Sequence, residues 1–271
     1  MNELGGRVST VTPDILALDF DGVLCDGMHE YFETSRRTHR RVWTNEKAPD
    51  DDLFPAFRAL RPVIMSGWEM PIVLRAIARG ADQADVLGRW EEIRDQLVRS
   101  ESPPGIDLVR TLQRTLDEVR REWIDADRDG WLSQNVPYCR LDELRRVVGE
   151  PGRTLVVTTK EGEFARLILD SWHVALAGIH GKESGTHKCD NLRALIADFA
   201  SAHGRRPTLW FVEDRLETLQ HVTTHSDLAD VQLFLATWGY NTPAAREAAS
   251  RGGRVHQLEL DRFRLGSSNW L

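Results

Sequence analysis

The stretch Ile15-Leu16-Ala17-Leu18-Asp19-Phe20-Asp21-Gly22-Val23 joins four consecutive apolar residues to two aspartates and a glycine. A continuous apolar run is typical of a strand that is buried in a parallel sheet. Ligands of such sheets bind outside the carboxyl ends of the strands. Asp19 and Asp21 are two residues apart, so both side chains can point to the same side of the chain. The stretch therefore predicts an acidic site at the end of a first strand, although an ordinary Asp-Gly turn has the same sequence.

Length, composition and charge favour a folded globular protein. The chain has 271 residues, which suits one large domain or two modest ones, and 41% of them are hydrophobic. The formal net charge is −7, and no block of Lys and Arg stands out. We therefore expect no nucleic-acid partner.

The cysteines and the apolar segments bear on the compartment. Cys25, Cys139 and Cys189 are too few and too scattered for a disulfide framework, and they form no Cys-x-x-Cys pair. The N-terminal residues Met1 to Asp14 are polar and lack the apolar core of a secretory signal. No apolar run has the length of a membrane span. We expect a cytoplasmic protein without a membrane partner, and the sequence does not predict its oligomeric state.

Short apolar runs alternate with helical patterns along much of the chain. Residues 163–172 and 191–199 carry apolar positions at the 3.6-residue spacing of a helix. Strands that alternate with helices of this length favour βαβ units and a parallel sheet, which makes the fold class α/β. The predicted strands are Ile15–Leu18, Leu155–Thr158, Val174–Ile179, Leu209–Val212, Val231–Thr237 and Val255–Leu258.

The interval between the first two predicted strands breaks this alternation. Residues 28–149 are mostly helical in pattern, and the clearest helix covers 106–123. A connection of this length is too long for a simple crossover. We interpret it as an inserted helical domain, so that 1–27 and 150–271 form a discontinuous core.

Three further polar features follow other predicted strands. Thr158-Thr159 follows the second strand, Lys188 precedes the helix at 191–199, and Glu213-Asp214 follows Leu209–Val212. Each feature alone is ordinary, because threonines often end strands and acidic residues often begin helices. Together with Asp19 and Asp21 they place an acid pair, hydroxyls, a lysine and a second acid pair at equivalent sheet positions.

This set of side chains suits phosphoryl transfer. A carboxylate such as that of Asp19 can attack phosphorus, provided that a cation offsets its repulsion with the phosphate. Mg²⁺ prefers oxygen ligands, which the carboxylates of Asp19 and Asp214 and the carbonyl of Asp21 can supply. Lys188 and Thr158 can bind phosphate oxygens, and Asp21 can protonate the leaving group.

The order of these motifs resembles the haloacid dehalogenase-like superfamily over most of the chain. Its four sequence motifs look like, in order, residues 19–23, residues 156–159, Lys188 and residues 211–214 of this chain. The resemblance implies a three-layer Rossmann-like core, a magnesium site, a small phosphorylated substrate and a helical cap at 28–149 that restricts access. It also implies that Gly22 and Thr159 contact the substrate. The second acid, Asp21, is similar to the phosphatase and mutase branches rather than to the dehalogenases.

The sequence leaves open alternative metal ligands, alternative phosphate-binding lysines and alternative activities. Either Glu213 or Glu217 can assist the metal, and Lys182 competes with Lys188 as the phosphate-binding lysine. Lys160 can also reach the phosphate, although a solvated lysine is the favoured interpretation. A phosphatase is the favoured activity, whereas a phosphomutase would use the same residues, and a binding module would retain the fold without turnover.

Overall fold

The computed structural model describes residues 12–47, 49–101, 104–149, 153–185, 187–251 and 253–271. Most of the polar N-terminal stretch and the expected domain junction at 150 lie outside these residues. The chain divides into two compact units, one formed by Met1–Asp26 with Pro137–Leu271 and the other by Gly27–Val136.

Strands and helices alternate through the first unit, and helices dominate the second. In chain order the strands are β1 (Ile15–Leu18), β2 (Cys25–Asp26), β3 (Val136–Pro137), β4 (Arg153–Val157), β5 (Gly178–His180), β6 (Leu209–Glu213), β7 (Gln232–Ala236) and β8 (Val255–Leu258). The helices are α1 (Met28–Val42), α2 (Phe54–Ala59), α3 (Glu69–Ala78), α4 (Gln83–Ser100), α5 (Ile106–Ala126), α6 (Arg128–Ser133), α7 (Leu141–Val148), α8 (Gly162–Ser171), α9 (Lys188–His203), α10 (Leu216–Thr223), α11 (Pro243–Arg251) and α12 (Leu260–Phe263).

The first unit contains a six-stranded parallel sheet with helices on both faces, which confirms the predicted α/β, Rossmann-like class. The strand order is β5-β4-β1-β6-β7-β8. Leu18 of β1 is in register with Val156 of β4 on one side and with Val212 of β6 on the other. The chain turns back past β1 between β5 and β6, and open α/β sheets bind ligands at such a reversal. The residues that follow β1, β4 and β6 therefore emerge together at this edge.

Alternate residues of the central strands form one continuous core. Ile15 and Ala17 of β1 share a face with Leu209 and Phe211 of β6, and all four are almost fully buried. Because side chains alternate along a strand, the residues between them line the opposite face. Apolar residues of α9 and α10 cover the first face: Leu192, Leu195, Ile196, Phe199, Leu216, Leu219 and Val222.

The structure differs from the expected boundaries in two places. The second unit ends at Val136 rather than at 149, so α7 belongs to the first unit. There Arg145 of α7 donates hydrogen bonds to the carbonyls of Trp172 and His173. The strand predicted over residues 174–179 begins only at Gly178, because the apolar residues before it lie in the connection that follows α8.

The second unit is a bundle in which α1 packs against α5 and α3. A buried ion pair joins two of these helices, since Arg120 Nε of α5 lies 2.7 Å from Glu30 Oε1 of α1. Thr34 and the indole N–H of Trp131 also donate hydrogen bonds to Glu30 Oε1. Among the described residues, no helix combines the length and the apolar character needed to cross a membrane.

Candidate active site

Asp19 leaves β1 at the edge of the sheet and turns its side chain into a buried position. Its backbone N–H donates to the carbonyl of Val212 at 2.9 Å, which extends the pairing of β1 with β6 by one residue. Its Oδ1 accepts the N–H of Phe20 at 2.8 Å. Only 7% of Asp19 is exposed. The sheet therefore orients this carboxylate and removes it from bulk water.

Lys188 is the first residue of α9 and reaches back to the same edge of the sheet. Its Nζ lies 2.9 Å from Asp19 Oδ2 and also donates a hydrogen bond to Glu213 Oε2. Burial by itself lowers the pKa of this lysine, but the carboxylates of Asp19 and Glu213 outweigh burial and raise it above its usual range. Lys188 is therefore a permanent positive charge beside Asp19.

Three carboxyl groups lie close together, and two of them contact this lysine. Oxygen atoms of Asp19, Glu213 and Asp214 all lie within 4.8 Å of one another, and all three residues are buried. Burial and the neighbouring Glu213 carboxylate raise the pKa of Asp19 to about 7, although Lys188 opposes this shift. Burial likewise raises the pKa of Glu213. In the described part of the chain, three acidic groups therefore lie together beside Lys188.

Glycines allow the backbone to close tightly around Asp214. Gly22 has φ +88°, a conformation that side-chain-bearing residues rarely adopt, and a Cβ at this position would overlap the carboxylate of Asp214. A Cβ at Gly239 would overlap Asp214 and the carbonyl of Gly22. Gly22, which the resemblance assigns to substrate contact, therefore lies against the carboxylate of Asp214.

The segment that follows β7 also holds Asp214. The backbone N–H of Tyr240 donates to Asp214 Oδ2 at 2.7 Å, and Asn241 Nδ2 donates to the Asp214 carbonyl at 3.0 Å. Arg246 in turn donates to Asn241 Oδ1 at 2.9 Å. These contacts fix both the side chain and the backbone of Asp214.

Asp21 forms a second ion pair beside the first. Lys160 Nζ lies 3.3 Å from Asp21 Oδ1, and only 7% of Lys160 is exposed. The expectation that Lys160 is solvated was wrong, because the turn after β4 directs its side chain towards Asp21. Thr158 is buried, and its Oγ1 accepts the N–H of Lys160 at 3.2 Å. The threonine motif therefore shapes the turn that carries Lys160.

Three further sequence candidates are exposed to solvent. Thr159 is exposed to solvent. Glu217 is exposed and lies 3.6 Å from Arg215, whereas Glu213 contacts Lys188 directly. Lys182 is also exposed, and its Nζ is 3.9 Å from Glu161.

Sequence reasoning missed the contributions of Tyr240 and Asn241. A signal for them existed, because β7 is followed by a polar segment that contains a glycine, as β1 is. The carboxyl ends of parallel strands meet at one edge of the sheet, so this segment could have been placed near Asp214 by the same argument.

Solved structures resemble this chain over most of its length at low sequence identity. A candidate phosphatase from Clostridium difficile superposes with a TM-score of 0.57 at 14% identity, over 94% of this chain and 98% of that chain. A haloacid dehalogenase-like family hydrolase from Streptococcus pneumoniae gives a TM-score of 0.52 at 13% identity, with coverages of 93% and 94%. Protein tyrosine kinase A from Mycobacterium tuberculosis gives 0.51 at 18% identity, with coverages of 86% and 87%.

No protein-family model matches the sequence, and no curated protein matches it. The likeness to solved structures therefore concerns the three-dimensional arrangement. The chain has the fold of haloacid dehalogenase-like proteins, with a Rossmann-like parallel sheet and a helical unit inserted after the first strand.

Proposed function

We propose that this protein is a magnesium-dependent phosphomonoester hydrolase that forms an aspartyl-phosphate on Asp19. The observation that carries the proposal is the buried cluster of Asp19, Glu213 and Asp214, with Lys188 Nζ 2.9 Å from Asp19. A nucleophilic carboxylate next to a cationic phosphate ligand is the arrangement that phosphoryl transfer to an aspartate needs.

The donor set of this cluster fits a hard divalent cation. Three carboxyl groups lie within 4.8 Å of one another, and Lys188 contacts two of them, Asp19 and Glu213. Asp19 and Asp214, together with the carbonyl of Asp21, would hold the ion, while Glu213 accepts hydrogen bonds from Lys188 and from the N–H of Arg215. Mg²⁺ bound there would shield Asp19 from the substrate and polarise a phosphoryl oxygen.

The chain's own groups then have distinct roles in the first half of the reaction. A carboxylate oxygen of Asp19 attacks phosphorus while the bond from phosphorus to the ester oxygen breaks. Lys188 and Thr158 bind the phosphoryl oxygens, on which negative charge is concentrated. Asp21 gives its proton to the departing ester oxygen.

The second half of the reaction regenerates Asp19. Asp21, now ionised, takes a proton from a water molecule whose oxygen attacks phosphorus. The bond between phosphorus and the Asp19 oxygen breaks, inorganic phosphate leaves, and Asp21 is again protonated. Lys160, 3.3 Å from Asp21 Oδ1, positions the Asp21 carboxyl group for both proton transfers.

A direct assay tests the proposal. Purified protein with Mg²⁺ and an aryl phosphate should release inorganic phosphate, and Asp19→Asn should abolish the release. Asp198→Asn is a matched control, because Asp198 is exposed on α9 of the same unit. An acid quench followed by mass spectrometry should detect a phosphoryl group on Asp19.

Two results would contradict the proposal. The first is a wild-type protein that releases no phosphate and forms no phosphoenzyme. The second is an Asp19→Asn variant that is as active as the Asp198→Asn variant. We propose a small phosphorylated substrate, and a panel of phosphorylated metabolites would identify it.

A further inference from the structure

A second cluster of potential metal ligands lies in the first unit, apart from the acidic cluster. Cys189, His221 and His225 each offer one ligand atom, and these three atoms lie within 4.8 Å of one another. Cys189 is on α9, His221 is on α10, and His225 lies one turn beyond His221. We propose that these residues form a site for a borderline or soft divalent metal, with Zn²⁺ as its typical occupant.

The spacing of the two imidazoles matches a shared metal ion. His221 and His225 are four residues apart, which brings their side chains to the same side of a helical turn. Their Nε2 atoms are 3.4 Å apart. Two nitrogens bound at the usual zinc distance and at a tetrahedral angle are also about 3.4 Å apart. The pair therefore needs little rearrangement to bind an ion.

The chemistry of the donors separates this site from the proposed magnesium site. A thiolate and two imidazoles favour Zn²⁺, Co²⁺ and related ions, whereas Mg²⁺ prefers oxygen ligands. His221 is exposed and His225 is half-buried, so an ion can reach them from solvent, while Cys189 forms the buried floor. Three protein ligands leave a coordination position for water.

Arg193 contacts the imidazole of His225, and metal binding requires this contact to change. Its Nη2 lies 3.0 Å from His225 Nδ1, and an arginine can only donate, so Nδ1 is the acceptor. The proton of the neutral His225 ring is then on Nε2 and faces His221. For a metal to bind Nε2, this proton would move to Nδ1, and Arg193 would turn from Nδ1 while it keeps its ion pairs with Asp190 and Asp227.

The site has a structural consequence for α9. Cys189 directly follows Lys188, whose side chain contacts Asp19. An ion bound by Cys189, His221 and His225 would tie the first turn of α9 to the end of α10. A ligand that binds only the folded state stabilises that state, so occupation should raise the melting temperature.

Titration of the full chain with Co²⁺ tests the proposal, because a cobalt–thiolate bond has a characteristic charge-transfer absorption. We expect one Co²⁺ per chain with this absorption, displacement by Zn²⁺, and no displacement by excess Mg²⁺. Cys189→Ser should abolish the absorption, and His221→Gln should weaken binding by about tenfold or more. Cys139→Ser and His203→Gln are the matched controls.

The outcomes separate the proposal from its alternatives. A wild-type chain without the thiolate absorption would overturn it, and so would an absorption that survives in Cys189→Ser. His221 is exposed, so His221→Gln tests the site even where Cys189→Ser fails to fold, and wild-type affinity in His221→Gln would also overturn it.

Arg193→Gln provides a test in the opposite direction. A glutamine carbonyl can accept the Nδ1–H of His225, which is the usual outer contact of a metal-binding histidine. We therefore expect tighter Co²⁺ binding in this variant. Unchanged or weaker binding would overturn the assignment of His225 Nε2 as a ligand.

Discussion

Each of the two units buries a cluster of acidic and cationic side chains. Acidic and cationic groups are equal in number in the cluster of the helical unit, whereas acidic groups are in excess in the cluster of the sheet unit. In the helical unit, Glu30 pairs with Arg120, and Thr34 and Trp131 donate further hydrogen bonds to it. In the sheet unit, Asp19 and Glu213 share Lys188, and Asp214 lies against both acids. Buried charge is costly unless it is paired and hydrogen-bonded. The paired cluster therefore stabilises the fold, whereas the excess of acidic groups over cationic groups supports the proposed cation site.

The largest expected effect separates activity from stability at Asp19. Asp19→Asn should lower phosphate release by at least about 10³-fold, because the nucleophile is lost. The same change removes one of three crowded acids, so the free energy of unfolding in EDTA should rise by about 1–2 kcal/mol. Steady-state kinetics and urea unfolding check both effects. If Asp19→Asn were inactive and also strongly destabilised, Asp19 would be a residue that stabilises the fold, as Glu30 is, and the comparison would fail.

Removal of a carboxylate from the Glu30–Arg120 cluster should destabilise the protein rather than stabilise it. Glu30→Gln leaves Arg120 buried without its charged partner and should lower the free energy of unfolding by about 3–5 kcal/mol. Glu122→Gln is the matched control in the same unit, because Glu122 is exposed and pairs with Arg41 at the surface. It should cost less than about 1 kcal/mol. Urea unfolding that ranks these two variants equally would contradict the comparison.

Magnesium should stabilise the cluster of the sheet unit alone. At about 100 times its dissociation constant, Mg²⁺ should raise the free energy of unfolding by about 2.7 kcal/mol relative to EDTA. Asp214→Asn should lose most of this increment, and Asp198→Asn should keep it. Thermal unfolding with and without Mg²⁺ measures the difference. If Mg²⁺ raised the free energy of unfolding of Asp214→Asn as much as that of the wild type, the ion would bind elsewhere.

The two units should also respond to pH in opposite directions when metal is absent. Burial raises the pKa of Asp19 from 3.8 to about 7, so the folded state binds this proton more tightly, and stability falls as pH rises from about 4 to about 7. Burial lowers the pKa of His39 from 6.5 to about 4, so its contribution to stability rises as pH rises through that window.

Urea unfolding in EDTA across this pH range separates the two contributions. Asp19→Asn should remove the falling contribution, and His39→Gln should remove the rising one. If Asp19→Asn left the pH dependence of the wild type unchanged, the raised pKa of Asp19 would be wrong.

The smallest expected effect concerns Asn241, which positions Asp214 without joining the cluster. Asn241→Ala removes the hydrogen bond to the Asp214 carbonyl and should weaken Mg²⁺ binding by about tenfold. Asn269→Ala is the control, because the Asn269 side chain donates to the carbonyl of Leu265 in an exposed segment. Mg²⁺ titration of activity compares the two variants, and equal midpoints would remove Asn241 from the support of the site.

The parallel sheet could be predicted because its signal is local. A buried strand such as β1 is apolar throughout, and acids directly follow it. The length of the strand before Gly178 was overpredicted, since apolar residues that pack in a connection look like strand residues in the sequence. The end of the second unit at Val136 was also missed, because a helix such as α7 has the same pattern in either unit.

The sequence by itself determined which chemical groups stand at the strand ends, since Asp19, Lys188 and Asp214 follow from the order of apolar runs and polar residues. Only the tertiary structure decided which of these groups share a cluster. It brought Glu213 rather than Glu217 to Lys188, buried Lys160 beside Asp21, and placed Asn241 against Asp214. The physical reason is that these contacts join residues on different strands and helices. Their distances depend on sheet register and helix packing, which no local pattern encodes.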